Sequence, residues 1–342
     1  MRGGFAVVQV GGGLWGQSWA EIVAGGRGFR LAALVDRAKA VRDWASATIG
    51  CPTFPELGAA LRRVQCDAVL IVAPPRVHRP LAEEALAAGC HVAIEKPLAL
   101  DLDDARGIAG AAERARRVAM VTQNYRFRRQ PRALRQLVQT RALGRLLGGH
   151  VSCRRDLRLD PAALDWRGSM PHPYLLDMAI HHVDLLRMIT GRDVVEVNAR
   201  SWPATSGPFR NDVSAVGLIG LEGDVEIGYE GSWMAASSWT SWNGDWELVG
   251  TSGVAEWIGG VGDALRGSVL VEGRDAPRAR VPLPSLPALD RLGVLHDLRR
   301  AVTAGTPPEC SIADNVKSLA AVLALARSTE ERRPVRVAEV LA

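Results

Sequence analysis

The sequence predicts an α/β chain of two domains: an amino-terminal domain on a parallel sheet, and an α+β domain on a large open, mostly antiparallel sheet. Three observations predict it. Short apolar runs alternate with helical patterns through the first third, as in successive β-α-β units. A glycine-rich turn follows the first apolar run, and after about residue 123 the texture changes to longer β-type segments. The 342 residues exceed the ~100 to 200 of one typical domain, so a split into 1–122 and 123–342 is expected.

In chain order, 5–10, 31–35, 68–72, 91–94 and 118–122 read as strands, each a short apolar run of the kind a parallel sheet buries. Between them 15–24, 38–46, 57–63, 79–88 and 102–115 read as helices, with Gly89 where a helix stops. In the second domain a single helix over 175–190 precedes strands at 194–199, 213–221, 224–232, 246–249, 254–258 and 268–271. The proline-rich piece 282–287 reads as a loop, and 312–329 as a closing helix that packs back on the first domain. No internal repeat or low-complexity segment is visible.

Composition narrows the function classes. A hydrophobic content of 47% with 23% charged residues fits an ordinary globular protein. The longest apolar stretches, near 68–75 and 319–326, fall short of the ~20 residues of a membrane span, so none is expected. Met1-Arg2-Gly3-Gly4-Phe5 leads straight into a strand without an apolar leader or cleavage site, which points to the cytoplasm. Five scattered cysteines with no CxxC pair argue against a disulfide framework and a zinc site, and are expected to be reduced and mostly buried. The net charge of +5, with Arg126, Arg128, Arg129, Arg132, Arg135, Arg141 and Arg145 close together, comes without a nucleic-acid-binding motif. A solvated helix face or a subunit contact accounts for it, and an anionic substrate such as a phosphorylated or nucleotide-linked sugar stays open.

Gly11-Gly12-Gly13-Leu14-Trp15-Gly16 is a G-x-G-x-x-G that follows a strand and opens a helix, and Asp36 ends the next strand 20 residues after Gly16. That context points to a Rossmann domain holding a dinucleotide on Gly11, Gly13, Leu14, Trp15 and Gly16, with phosphates at free helix N–H groups. Asp36 suits the ribose hydroxyls and repels a 2′-phosphate, which favours NAD; Arg37 keeps NADP open, since a guanidinium there can stack on adenine or hold that phosphate. Glu95-Lys96-Pro97 ends the apolar strand at the sheet's carboxyl edge, where ligands bind in open α/β folds. Lys96 is one of only three lysines in an arginine-rich chain, and an ammonium can approach a substrate oxygen as a compact, tunable charge; on its own it also reads as a surface residue. Asp177, His181 and Asp184 stand at i, i+4 and i+7 of one helix face, with His182 about 100° away. Two acids flanking a histidine suit a general acid/base held in one tautomer. The bland alternative is a charge-capped helix with His182 exposed. No further ligand cluster supports a metal.

These motifs together resemble the Gfo/Idh/MocA oxidoreductase family over essentially the whole chain. The glycine turn, Ala73-Pro74-Pro75-x-x-His78, Glu95-Lys96-Pro97, Asn124-Tyr125-Arg126-Phe127, Trp166-Arg167 and Asp177-x-x-x-His181 occur in the family's order. The resemblance implies a nicotinamide-dependent dehydrogenase or reductase of a sugar, cyclitol or derivative, usually a homo-dimer or homo-tetramer built through the second domain's sheet. It implies that Lys96 and His181 flank the reacting carbon and that Asp177 binds substrate and orients the acid/base. Pro74, His78, Glu95, Trp166 and Arg167 would line the nicotinamide end, and Tyr125 and Arg126 would contact substrate. The chain departs from the family at Met170-Pro171-His172-Pro173-Tyr174, bulkier and stiffer than the usual glycine-rich turn, which leaves the pocket shape and substrate open. Trp233, Trp239, Trp242 and Trp246 could stack on a sugar ring or pack the core or an interface. Rival readings are a reductase of a ketone or imine in secondary metabolism, a redox-neutral route through transient oxidation, and a non-catalytic dinucleotide-binding regulator.

Overall fold

A computed structural model describes residues 4–157, 166–205, 207, 209–260 and 265–342. Met1, Arg2 and Gly3, on which the reading of the chain's start partly rests, lie outside the described residues. The chain divides into two units, residues 1–124 with 287–316 and residues 125–286 with 317–342.

The first unit holds strands β1 (Phe5–Val10), β2 (Phe29–Val35), β3 (Thr53–Phe54), β4 (Ala68–Ile71), β5 (His91–Ile94) and β6 (Ala119–Val121). Helices α1 (Leu14–Gly25), α2 (Lys39–Trp44), α3 (Leu57–Leu61), α4 (His78–Ala87) and α5 (Leu102–Ala115) alternate with them. The strands form one parallel sheet in the order β3-β2-β1-β4-β5-β6. Its central strands are apolar without interruption because both faces are covered: Val7, Val8, Val69, Leu70, Ile71, Val92, Ala93 and Ile94 are fully buried. Trp19, Ala20 and Val23 of α1 and Ala105 and Ile108 of α5 are enclosed as well. Asp101 caps α5, its Oδ1 accepting the Asp104 N–H at 2.8 Å.

The second unit begins with α6 (Arg129–Gln139) and β7 (Leu146–Arg154), followed by α7 (Ile180–Thr190), which a π-helical turn over Tyr174–Ala179 precedes. Strands β8 (Val194–Pro203), β9 (Asp212–Leu221), β10 (Val225–Ser232), β11 (Asp245–Gly250), β12 (Gly253–Gly259), β13 (Gly267–Gly273) and β14 (Ala276–Arg280) come next. After α8 (Asp290–Ala304), in the first unit, the chain closes with α9 (Ile312–Glu331), β15 (Val335–Arg336) and α10 (Val337–Leu341). The nine strands run β14-β13-β12-β11-β7-β10-β9-β8-β15, antiparallel except for the parallel pair β7 and β10. Strand β10 shows the alternation of a sheet covered on one face: Val225, Ile227 and Tyr229 are buried, while Glu226 and Glu230 face outward.

Several elements differ from expectation. The closing helix is divided between the units: from Lys317 it belongs to the second, where Ser318 bonds Asp184 and Ser328 Oγ accepts the Ala199 N–H at 3.0 Å. Strand β7 is absent from the sequence expectation, and two adjacent glycines, Gly148 and Gly149, lie within it. A Cβ on Gly148 would lie 2.6 Å from the Glu226 carbonyl oxygen and one on Gly149 2.2 Å from that of Glu247, so glycine there permits close strand packing. Helix α6 lies in the arginine-rich stretch; Arg129 is exposed, but Arg126 and Arg128 before it are buried. No helix among the described residues is long and apolar enough to cross a membrane.

Candidate active site

The first unit builds its cradle between β1 and α1. Gly11 has φ +94°, and a Cβ there would lie 2.1 Å from the Val72 carbonyl oxygen; one on Gly16 would lie 2.4 Å from that of Gly11. Gly13 is different, because a Cβ on it meets nothing within 4 Å. It caps the amino end of α1 without any side-chain cap, so the helix N–H groups keep their capacity for an anion. Gln9, which the sequence motifs do not single out, braces the turn from inside: its fully buried amide donates to the carbonyls of Gly11 at 2.8 Å and Gly16 at 2.7 Å. Asp36 accepts the Gly12 N–H at 2.9 Å on one oxygen and the Ala38 N–H at 2.8 Å on the other, which ties the end of β2 to the glycine turn. Arg37 is exposed beside it, and Leu14 and Trp15 are exposed at the head of α1.

Beyond β5, Glu95 is 6% exposed. One oxygen accepts the indole N–H groups of Trp15 at 3.0 Å and Trp19 at 2.6 Å, and the other accepts the backbone N–H of Lys96 at 3.0 Å. Arg291 lies over both indoles, 4.4 Å from the Trp15 centroid and 5.6 Å from that of Trp19. Glu95 thus joins α1 to the backbone that carries Lys96; the four-residue spacing of the two tryptophans was the available sign. The His78 ring is fully buried, with nitrogens 3.1 Å from the Leu98 carbonyl oxygen and 2.8 Å from that of Ala73, so it fastens the Pro74 turn to the chain after Lys96. Burial pushes its pKa down.

In the second unit the imidazole of His181, 4% exposed, stacks face to face on Tyr125 with centroids 4.0 Å apart and planes 6° apart. The guanidinium carbon of Arg128 sits 3.5 Å from the Tyr125 centroid, on the other face. Asp177 lies in the π-helical turn rather than in α7 and accepts from Arg167 Nε at 2.7 Å; that guanidinium also covers the Trp166 ring at 4.5 Å. Asp184 does not flank the imidazole as the spacing suggested. Its two oxygens accept from Nε and Nη2 of Arg126, each at 2.6 Å, and the Ser318 hydroxyl adds a bond at 2.9 Å. Arg126, expected to meet substrate, is therefore 5% exposed and held in an internal ion pair. Lys96 belongs to the first unit, and Tyr125, Trp166, Arg167, Asp177 and His181 to the second.

Comparison with known proteins agrees with both units. A model of the oxidoreductase family with an NAD-binding Rossmann fold matches residues 5–123, and a GFO/IDH/MocA C-terminal domain matches 132–256. The chain belongs to the Gfo/Idh/MocA oxidoreductase family. An uncharacterized protein, y4oX, of Sinorhizobium fredii is 30% identical over 262 residues, 73% of this chain and 72% of that one. The UDP-N-acetylglucosamine 3-dehydrogenase of Acidithiobacillus ferrooxidans is 32% identical over 154 residues, 45% of each chain, so the match spans about half of that enzyme. An oxidoreductase from Agrobacterium radiobacter, solved with NAD+, L-tartaric acid and magnesium, shares the fold with TM-score 0.87 at 20% identity, over 98% of this chain and 99% of that one. The family's NAD fits the first unit as it stands: the space at Gly13 is one that a Cβ would fill, and the start of α1 has no side chain across it.

Within this Gfo/Idh/MocA chain the two adjacent histidines have opposite surroundings. His182 is not exposed, as a charge-capped surface helix would leave it, but fully buried. Its Nδ1 is 2.9 Å from the Tyr229 hydroxyl and its Nε2 3.2 Å from the Trp242 carbonyl oxygen; the Tyr229 hydroxyl in turn meets that of Tyr174 at 3.1 Å. A Cβ on Gly231 would fall 1.7 Å from the Tyr174 hydroxyl, so glycine makes room for the tyrosine. Trp233 and Trp246 are buried in this core, whereas Trp239 and Trp242 are half-buried around the Arg155 guanidinium, at 5.6 and 4.7 Å.

Burial pushes the His182 pKa down from 6.5 to about 4. The unfolded chain therefore binds the proton first on acidification, and stability present above pH 6.5 is lost as the pH falls toward 4, by about 3 kcal/mol for this group. Chemical denaturation across that range should show a smaller acid loss in His182→Gln than in the wild type; equal losses would place the acid sensitivity elsewhere.

Proposed function

We propose that the chain is an NAD-dependent dehydrogenase or reductase acting at a hydroxyl or carbonyl carbon of a sugar, cyclitol or sugar derivative. The observation that carries this reading is the nearly buried His181 imidazole, fixed flat on Tyr125 four residues after Asp177. The sugar class is supported by the activity for which the Acidithiobacillus ferrooxidans relative is named. A regulator without turnover would have no need of Lys96 and His181, and both are present.

The dinucleotide would lie on Gly11, Gly13, Leu14, Trp15 and Gly16, with Asp36 and Arg37 at the adenosine end and Pro74 and Lys96 toward the reacting end. When bound, its nicotinamide supplies the acceptor or donor of a hydride. In the oxidation direction a ring nitrogen of His181 takes the hydroxyl proton, and the stack on Tyr125 keeps the imidazole from rotating away. Lys96 Nζ would stabilise the negative charge that develops on the oxygen, the role that the family resemblance gives it. Asp177, held by Arg167, is the group for a neighbouring substrate hydroxyl, and Trp166 shields the pair. In the reduction direction His181 returns the proton. His78 and Glu95 act through the backbone they hold. The open face of the second sheet, where Val216 and Leu218 of β9 are 46% and 53% exposed, is the contact between copies in a homo-dimer or homo-tetramer.

Lys96→Met and His181→Gln should each lower turnover about 100-fold or more while leaving NADH affinity nearly unchanged, and His182→Gln should keep turnover in the folded protein. A panel of sugars and cyclitols followed by nicotinamide absorbance supplies the assay; an inactive His182→Gln beside an active His181→Gln would reverse the assignment. By nicotinamide fluorescence NADH should bind more tightly than NADPH, with the gap narrowed in Asp36→Ala; tighter NADPH binding would assign Arg37 to a 2′-phosphate. Light scattering should give a multiple of the chain mass that Leu218→Glu reduces, whereas a monomeric wild type would remove the sheet-face contact.

A further inference from the structure

At the edge of the first sheet opposite to Lys96, two of the five free cysteines meet. Cys66 lies just before β4 and Cys90 just before β5, and these strands pair in parallel with Ala68 beside His91. Their sulfurs are 3.2 Å apart, inside ordinary sulfur contact. Cys153 and Cys310 are fully buried, Cys51 is 8% exposed and Cys90 6%. Cys66 is half-buried, and both thiols line a cleft of about 530 Å³ together with Arg30, Leu61, Val64 and Asp67. Neither cysteine takes part in the cradle or in the chemistry proposed above.

We propose that Cys66 and Cys90 are a redox-active dithiol, a modification site that low-molecular-weight disulfides oxidise to an intramolecular disulfide across the β4–β5 edge. The geometry needs little change, since a disulfide of about 2.05 Å brings the sulfurs together by only about 1 Å and neighbouring parallel strands hold their chains side by side. The cleft admits the small oxidant. The two thiols are unequal: the hydrogen bond from Cys66, and after it the Arg117 charge, hold Cys90 below the usual thiol range, while that same bond and burial push Cys66 up. Cys90, as thiolate, attacks the small disulfide, forming a mixed disulfide and releasing one small thiolate. Cys66 gives up its proton and attacks the Cys90 sulfur, forming the Cys66–Cys90 bond and releasing the second. The protein loses two electrons and two protons; the oxidant, reduced, leaves as two thiols. The bond links the amino-terminal ends of the strands whose carboxyl ends lead to Pro74 and Lys96.

The test uses the full-length protein, first fully reduced, then incubated with oxidised glutathione, with thiols counted after unfolding and proteolytic peptides mapped by mass. The expected count falls from five to three, with one peptide pair joined through Cys66 and Cys90 and the five restored by dithiothreitol. In Cys66→Ser the same treatment should leave glutathione on Cys90, which identifies the attacking thiol. Five thiols persisting in the wild type would overturn the proposal, as would a linkage through Cys51, Cys153 or Cys310, or one joining two chains. The wild-type result decides the matter even where the variant does not fold.

Discussion

The first unit depends on one close approach of backbone to backbone, at the turn where β1 passes into α1. Gly11 comes so near the Val72 carbonyl that no side chain fits, and Gly16 approaches Gly11 in the same way. That closeness lets β4 lie beside β1 and α1 start directly above the strand end. Gln9 holds the two carbonyls from below and Asp36 holds Gly12 from the side. The turn is therefore rigid before any ligand arrives, and its helix N–H groups are already oriented toward an anion, which lowers the ordering cost of binding.

The second unit fixes its histidine by a different means, with charge placed inside the protein. Arg126 and Asp184 form a bidentate pair with side chains 6% and 1% exposed, and removing one partner of such a pair typically costs about 3 to 5 kcal/mol because the other charge is left stranded. The pair anchors α7 to the segment that carries Tyr125, and Tyr125 is in turn pressed between Arg128 and His181. One residue further on, His182 is fully buried against the Tyr229 hydroxyl and the Trp242 carbonyl, and burial holds its pKa down. Adjacent imidazoles on one helix thus serve unlike ends, one held by stacking on Tyr125 and one locked by hydrogen bonds into the core.

Much of this is legible in the sequence because the relevant rules are local. The glycine spacing with Asp36 after the next strand, the uninterrupted apolar strands and the alternation along β10 each follow from contacts within one or two elements. What is not legible depends on distant partners. Strand β7 goes unassigned because the strands that Gly148 and Gly149 pack against lie far along the chain. Asp184 reads as a flank of His181 because its spacing is helical, while its partner Arg126 is 58 residues away. Helix α8 is masked by the proline-rich loop beside it, although Val294, Leu295, Leu298 and Ala301 keep helical spacing and are all buried. The dithiol is invisible for the same reason: scattered cysteines show no pairing until two parallel strands bring their ends together.

NAD binding at the glycine turn has its most direct measurement in Gly13→Ala, because Gly13 alone of the three motif glycines has room for a methyl group. Calorimetric titration with NADH, paired with thermal unfolding of the ligand-free protein, separates the cradle from the fold. The expected result is unchanged ligand-free stability with affinity weakened about tenfold or more, since the methyl would occupy the space proposed for the pyrophosphate. Unaltered NADH affinity in a stable Gly13→Ala protein would contradict the placement of the dinucleotide on this turn.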